Sequence, residues 1–177
     1  LLSSSLQFDR LQRSVRFTGM NSKQTAQNKL VRNDLVIGSP VGKLRLVASE
    51  KGLVAIDVRN NSKQGVNAKN QAAQAILMKT KKQLEQYFAG QRTSFDVALD
   101  LAGTEFQVQA WRALCRIPFG KTISYGQQAA NIKKPKAFRA VGSANGKNPI
   151  PIIVPCHRVV ASDGSLGGYS LGLKMKK

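Results

Sequence analysis

Two helix-start signals in the second half of the chain constrain its fold more than any other feature. Thr104-Glu105-Phe106-Gln107 and Ser124-Tyr125-Gly126-Gln127 both fit a capping box. In this motif the hydroxyl accepts from the backbone N–H three residues on, and the glutamine side chain returns to the N–H of the cap. The first box opens a helix that places Val108, Trp111, Leu114 and Cys115 on one face, which makes Cys115 a core residue. The second opens a short helix from Ser124 to Ile132. Pro118-Phe119-Gly120 turns the chain between them, and Lys133-Lys134-Pro135 breaks it before a third helix from Lys136 to Asn145. Helix, tight turn, helix and an extended Pro-rich segment make the outline of a winged helix-turn-helix.

The first half follows another pattern. Leu35-Val36-Ile37, Leu44-Arg45-Leu46-Val47-Ala48 and Leu53-Val54-Ala55-Ile56-Asp57-Val58 read as strands of an antiparallel meander, with Gly38-Ser39-Pro40 and Glu50-Lys51-Gly52 as turns. Residues 59–70 are polar and loop-like. Ala73, Ile76, Leu77, Leu84, Tyr87 and Phe88 then recur at helical spacing between Ala72 and Phe88, Gly90 ends that helix, and a short strand is expected at Phe95–Leu99. The unit is α+β. Asp100-Leu101-Ala102-Gly103 links the halves, so the chain divides into a tail at 1–33, an α+β domain at 34–100 and a second domain at 101–177. The tail is arginine-rich, serine-rich and acid-poor, as mitochondrial presequences are, but Met20 as a natural start is the preferred reading.

Charge narrows the partners. With 28 basic and 9 acidic residues in 177, the net charge is +19, a field that attracts polyanions. Nucleic acid is favoured over an anionic membrane surface because no long, strongly amphipathic basic helix is evident. No apolar run approaches the roughly 20 residues that span a bilayer, so no membrane partner is expected.

The chemistry concentrates at Pro155-Cys156-His157-Arg158-Val159, behind the apolar run Pro149-Ile150-Pro151-Ile152-Ile153-Val154. A thiol is nucleophilic only as a thiolate, and a neighbouring imidazole or positive charge favours that form. Cys156 is the leading reactive residue. The competing reading is a buried structural cysteine, since cysteine often behaves as a small hydrophobe. His157, the one histidine of the chain, favours reactivity. Successive residues on a strand face opposite ways, however, so His157 meets the sulfur only if the backbone bends or through a water. Cys115, Cys156 and His157 lack the spacing of a zinc site, so no metal is expected, and two cysteines alone suggest a reducing compartment.

On the third helix, Arg139, Gly142, Ser143 and Gly146 cluster with Ala140 beside them, while Phe138 and Val141 are expected to point inward. Small residues on a helix allow tight packing against another helix. They also allow close approach to a groove while one long cation reaches into a duplex.

The series Gly103-Thr104-Glu105-Phe106-Gln107, Trp111-Arg112-Ala113-Leu114, Ile117-Pro118-Phe119-Gly120, Ser124-Tyr125, Arg139-Ala140-Val141-Gly142, Asn148-Pro149, Pro155-Cys156-His157-Arg158-Val159-Val160, Gly164 and Tyr169-Ser170 strongly resembles the O6-alkylguanine-DNA alkyltransferases. The likeness covers about 34–173 and is most specific after 103. It implies a ribonuclease-H-like α+β domain followed by a mostly helical winged helix-turn-helix domain. It also implies a DNA repair activity in which Cys156 takes the alkyl group from O6 of a guanine flipped out of the duplex, once per molecule and without a cofactor. By the same resemblance His157 is the water-linked base, Tyr125 neutralises the departing guanine at N3 and crowds the phosphate, Arg139 replaces the extruded base, and Asn148 braces the turn bearing the nucleophile. Ala140, Gly142 and Ser143 would lie along the DNA. The base would rest against Tyr169 and Pro151, with main-chain acceptors at Cys156 and Val159 and with Ser170 near O6. The partner is double-stranded DNA carrying O6-alkylguanine. The protein would act as a monomer, nuclear in a eukaryote and cytoplasmic otherwise.

Two departures qualify the likeness. The family's glutamate on a C-terminal helix, which completes the histidine's hydrogen-bond chain, has no counterpart after Asp163: either the sequence stops short of it, or thiolate formation is weaker. The family's occasional zinc ligands are missing from the first domain. Two rivals differ in class: a damage-sensing or architectural DNA-binding protein that transfers nothing, and a cysteine hydrolase, which lacks a second histidine and an obvious oxyanion site.

Overall fold

The computed structural model describes residues 32–58, 70–168 and 172. The tail before Arg32, the expected loop at 59–69, and Tyr169 and Ser170 lie outside the described residues. The chain forms two compact units, Leu1–Leu101 and Ala102–Lys177.

In the first unit, β1 (Asn33–Ile37), β2 (Leu44–Ala48) and β3 (Leu53–Asp57) form an antiparallel sheet in sequence order. Leu44, Leu46 and Ala48 alternate into the core, as period-two geometry requires. Across this sheet lies α1 (Gln71–Phe88), which buries Ala73, Leu77 and Leu84. Its start is fixed by Asn70, whose side chain accepts from Ala73 N–H at 3.0 Å while its carbonyl accepts from the Asn33 amide at 3.0 Å.

The strand expected at Phe95–Leu99 does not form. The segment makes a single parallel bridge, Leu53 to Leu99, because Leu53 N–H donates to the Ala98 carbonyl and Asp100 N–H to the Leu53 carbonyl, both at 2.8 Å. Its other attachments come from side chains: Gln83 on α1 accepts from Asp96 N–H at 2.8 Å and donates to the Asp96 carbonyl at 3.2 Å. Gly52 permits the close approach, since a Cβ there would lie 2.8 Å from backbone atoms of residues 98–100.

In the second unit, both capping boxes form. Thr104 caps α2 (Glu105–Leu114) and Ser124 caps α3 (Tyr125–Asn131), each with its glutamine bonded back. A 3₁₀ turn, Pro135–Ala137, precedes α4, which spans Phe138–Gly146 rather than beginning at Lys136. Proline fixes the tight first turn, and the α-helical ladder starts after it. Cys115 is the C-cap of α2, partly exposed as a residue while its thiol is desolvated by burial, so it borders the core. The three helices are stitched by buried polar contacts. Trp111 Nε1 donates to the Ala144 carbonyl at 2.8 Å, and the Gln128 amide donates to the Ala110 carbonyl and to Asn145 Oδ1 at 3.1 Å each. Asn145 donates back to Gln128 Oε1 at 2.7 Å. Finally β4 (Ile123–Ser124) pairs in parallel with β5 (Val159–Val160), and Ala161–Ser165 folds back as a tight turn.

Candidate active site

Cys156 sits on a strained turn, not on a strand. Residues 149–154 turn instead of extending, with Val154 N–H bonded to the Ile150 carbonyl at 2.9 Å and Ile152 at φ +75°. A left-handed conformation costs a non-glycine residue about 1–2 kcal/mol, and a β-branched side chain suits it poorly. Asn148 offsets that strain. Its Oδ1 accepts from Ile150 N–H at 3.0 Å, and its Nδ2 donates to the Val154 carbonyl at 2.7 Å. The same nitrogen lies 3.1 Å from Cys156 Sγ. An N–H aimed at sulfur stabilises a thiolate more than a thiol. Cys156 itself is 6% exposed, buried but near the surface.

Cys156–Arg158 form a 3₁₀ turn, which supplies the backbone bend that a strand would have denied to His157. His157 is half-buried, next to Cys156 in the chain. Arg158 spends its charge on position: Nη1 donates to the Ile117 carbonyl at 2.8 Å, and the guanidinium lies 5.6 Å from the Phe119 ring centre. The turn is thereby tied to the chain leaving α2.

The parallel pairing of Ile123 with Val159 and Ser124 with Val160 brings the start of α3 to the cysteine turn. Tyr125, the first residue of α3, is half-buried there. Its phenol is pushed above the ordinary range, first by burial and then by the negative charge of Cys156. Its ring is flanked by two glycines. A Cβ at Gly167 would lie 3.4 Å from Cε2 and 3.5 Å from the hydroxyl, and Gly167 has φ +59°; one at Gly142 would lie 3.7 Å from Cε1. Gly142 thus faces Tyr125 at a distance that would admit a Cβ, whereas Arg139, Ala140, Ser143 and Gly146 are exposed along α4. Val141 is fully buried, but Phe138 is 47% exposed, contrary to the expectation that both point inward. A side chain on the first turn leans toward the helix N-terminus, past the neighbours that cover Val141.

Pro151 and Val159 are both buried near the thiol in sequence. Tyr169 and Ser170 fall outside the described residues. Cys115 donates weakly to the Trp111 carbonyl at 3.5 Å, and burial pushes its thiol up to about 12, so it stays protonated at neutral pH. The Ser165 side chain, and with it the Ser165 N–H at 2.9 Å, holds the Asp163 carboxyl below the usual range and commits it to the turn after β5. Among the described residues no group of three or more His, Cys, Asp or Glu could hold a metal ion, and no helix is long and apolar enough to cross a membrane. Sequence reasoning missed the Gln128–Asn145 pair. Asn145 falls four residues after Val141, on the inward stripe of α4, and that spacing was its available signal.

A thiol braced just below the surface of a basic helix-turn-helix unit defines a class of DNA-binding proteins that react through their own cysteine. Comparison with known proteins agrees. Residues 35–101 match the profile of the 6-O-methylguanine DNA methyltransferase ribonuclease-like domain, and residues 105–177 match that of the DNA binding domain of the same proteins. The chain is 46% identical over 143 residues to a methylated-DNA–protein-cysteine methyltransferase of Methanosarcina barkeri, covering 80% of this chain and 90% of that one. It is 58% identical over 95 residues to the protein of the same name from Mycobacterium bovis, covering 54% of this chain and 58% of that one. The crystal structure of Mycobacterium tuberculosis OGT in complex with DNA superimposes with a TM-score of 0.71 at 45% identity, over 80% of this chain and 86% of that one. The chain belongs to the 6-O-methylguanine DNA methyltransferase family.

Proposed function

We propose that this protein repairs DNA by moving the alkyl group of an O6-alkylguanine onto Cys156, once per molecule. The sulfur lone pair forms the S–C bond as the O6–C bond breaks, and the released electron pair enters the purine. A proton on the leaving guanine completes the balance, and the thioether has no easy exit. The observation that carries this reading is the 3.1 Å contact of Asn148 Nδ2 with Cys156 Sγ, on a turn strained at Ile152. A merely structural cysteine needs neither.

Tyr125 stands at the thiol with its proton firmly held and delivers it toward N3 only as the purine becomes anionic. His157 takes the thiol proton through a water. Arg139, exposed on α4, fills the gap left by the flipped base, with Ala140, Gly142 and Ser143 along the groove. Pro151, Val159, Tyr169 and Ser170 frame the base. The chain binds duplex DNA, acts as a monomer, and works in the nucleus of a eukaryote or otherwise in the cytoplasm.

Incubation with a duplex containing O6-methylguanine, followed by intact-mass measurement and peptide mapping, tests the reading. One methyl group on Cys156 is expected, and none after Cys156→Ala, with duplex binding retained. Multiple turnover, or methyl on Cys115, would overturn it. Binding without transfer would favour the damage-sensing alternative.

A further inference from the structure

Phe138, the one aromatic residue of α4, is unaccounted for by the site above. It is the first residue of the helix, 47% exposed, and the Arg139 guanidinium carbon lies 5.7 Å from its ring centre. Lys134, just before the 3₁₀ turn that leads into α4, and Lys136, on that turn, are both exposed. An apolar ring of this size in such a basic setting is not covered by the core of its own unit, whose nearest inward residue, Val141, is completely buried without it.

We propose that Phe138 is an apolar wedge that presses on the base step flanking the lesion while Arg139 occupies the vacated position. This rests on the reading of Arg139 given above. The Arg139 guanidinium carbon and the Phe138 ring centre lie 5.7 Å apart, close enough for the two side chains to address neighbouring positions of one strand, whose stacked bases are about 3.4 Å apart. Proteins that open the minor groove use phenylalanine among the residues that unstack a step, so the chemistry suits a nucleotide that has to leave the helix. In the free protein the guanidinium rests over the ring, an arrangement within the range of a cation–π contact. On DNA the two side chains part, the cation into the stack and the ring against the adjacent base pair. Phe138 thus favours extrusion of the base, and it touches neither the thiol nor the alkyl group.

The test measures single-turnover transfer from O6-methylguanine in a duplex, in the same oligonucleotide single-stranded, and as the free base. The variants are Phe138→Ala, Phe138→Leu, Arg139→Ala and the double Phe138→Ala/Arg139→Ala. Phe138→Ala is expected to slow the duplex reaction at least fivefold and the other two reactions less than twofold. Phe138→Leu should recover most of the loss, because bulk and not the π face does the work. The double variant should be slower on duplex than Arg139→Ala alone. An undiminished duplex rate in Phe138→Ala, or equal losses on all three substrates, would overturn the wedge. So would no added loss in the Arg139→Ala background, which would leave the ring only as a rest for the guanidinium. Failure of the Arg139 reading itself would show separately, as an Arg139→Ala protein with a normal duplex rate.

Discussion

Asn148 and Cys156 are joined through a single amide nitrogen, which donates to the Val154 carbonyl at 2.7 Å and approaches the Cys156 sulfur at 3.1 Å. One side chain thus shapes the turn and presents an N–H to the nucleophile. Asn148→Ala strips the Ile150 N–H and the Val154 carbonyl of their partner, at a cost of about 1–3 kcal/mol in stability. Reactivity of Cys156 toward iodoacetamide should fall with it. Asn148→Asp keeps the acceptor for Ile150 but sets a carboxylate oxygen against both the Val154 carbonyl and the sulfur, so it should lose stability as Asn148→Ala does and lose more reactivity than Asn148→Ala. Urea denaturation and alkylation rates measured side by side check both, and full reactivity in Asn148→Asp would show that the N–H does nothing for the thiol.

Tyr125 responds to the state of Cys156. Burial and the Cys156 charge both disfavour the phenolate, so its pKa is raised. A thioether carries no charge, and alkylation of Cys156 therefore lowers the Tyr125 pKa while burial keeps it above the ordinary value. Phenolate absorbance titration of the free and alkylated protein, with Tyr125→Phe as the blank, reads the shift directly. The linkage has a definite sign: stability from the neutral phenol is whole below the unfolded-state pKa and is lost as pH rises through the folded-state value. Tyr125→Phe should accordingly flatten alkaline unfolding. An unchanged titration after alkylation would mean that the two groups do not sense each other.

The buried Gln128–Asn145 pair joins α3, which begins at Tyr125, to α4, which carries Arg139. Asn145→Leu takes from Gln128 Oε1 the donor at 2.7 Å and should cost about 1–3 kcal/mol, as should Gln128→Leu. The double substitution should cost less than their sum, with a coupling of about 0.5–3 kcal/mol. Denaturant melts of the four proteins form the cycle, and strict additivity would disprove the coupling.

Lys133 ends α3 with φ +60°, its N–H bonded to the Ala130 carbonyl at 2.8 Å and Lys134 N–H to the Ala129 carbonyl at 2.9 Å. This is a Schellman closure, a position at which glycine is usual. Lys133→Gly should raise stability by about 0.5–1 kcal/mol, the relieved backbone strain being partly offset by the freer unfolded chain. Thermal unfolding monitors it. A lower Tm in Lys133→Gly would indicate that the lysine side chain contributes more than the strain removes.

Local signals carried the helices and strands a long way. The capping boxes at Thr104 and Ser124 are short-range reciprocal bonds, so residue type and spacing suffice to locate them. The β1–β3 meander was legible for the same reason, since alternation and turn residues act within a few positions. The segment Phe95–Leu99 looked like a strand because its pattern is apolar, yet a strand needs a partner along its length, and Gln83 and Leu53 hold it by isolated bonds instead. Phe138 misled for a related reason: helical periodicity gives a face, but only the tertiary surroundings decide how far along the helix that face is covered.

The residue types of the site, Cys156 beside His157, the early Tyr125 and the lone Arg139 among small neighbours, were set by the sequence alone, because chemistry belongs to side chains. Their meeting was decided by the fold. Tyr125 reaches Cys156 through the parallel pairing of Ser124 with Val160, and the sulfur meets Asn148 because Ile152 adopts a left-handed turn where an apolar run suggested an extended chain. Strand pairing between distant segments and a strained turn held by a side-chain amide are long-range outcomes. Their free energy comes from contacts that exist only once the whole unit has closed.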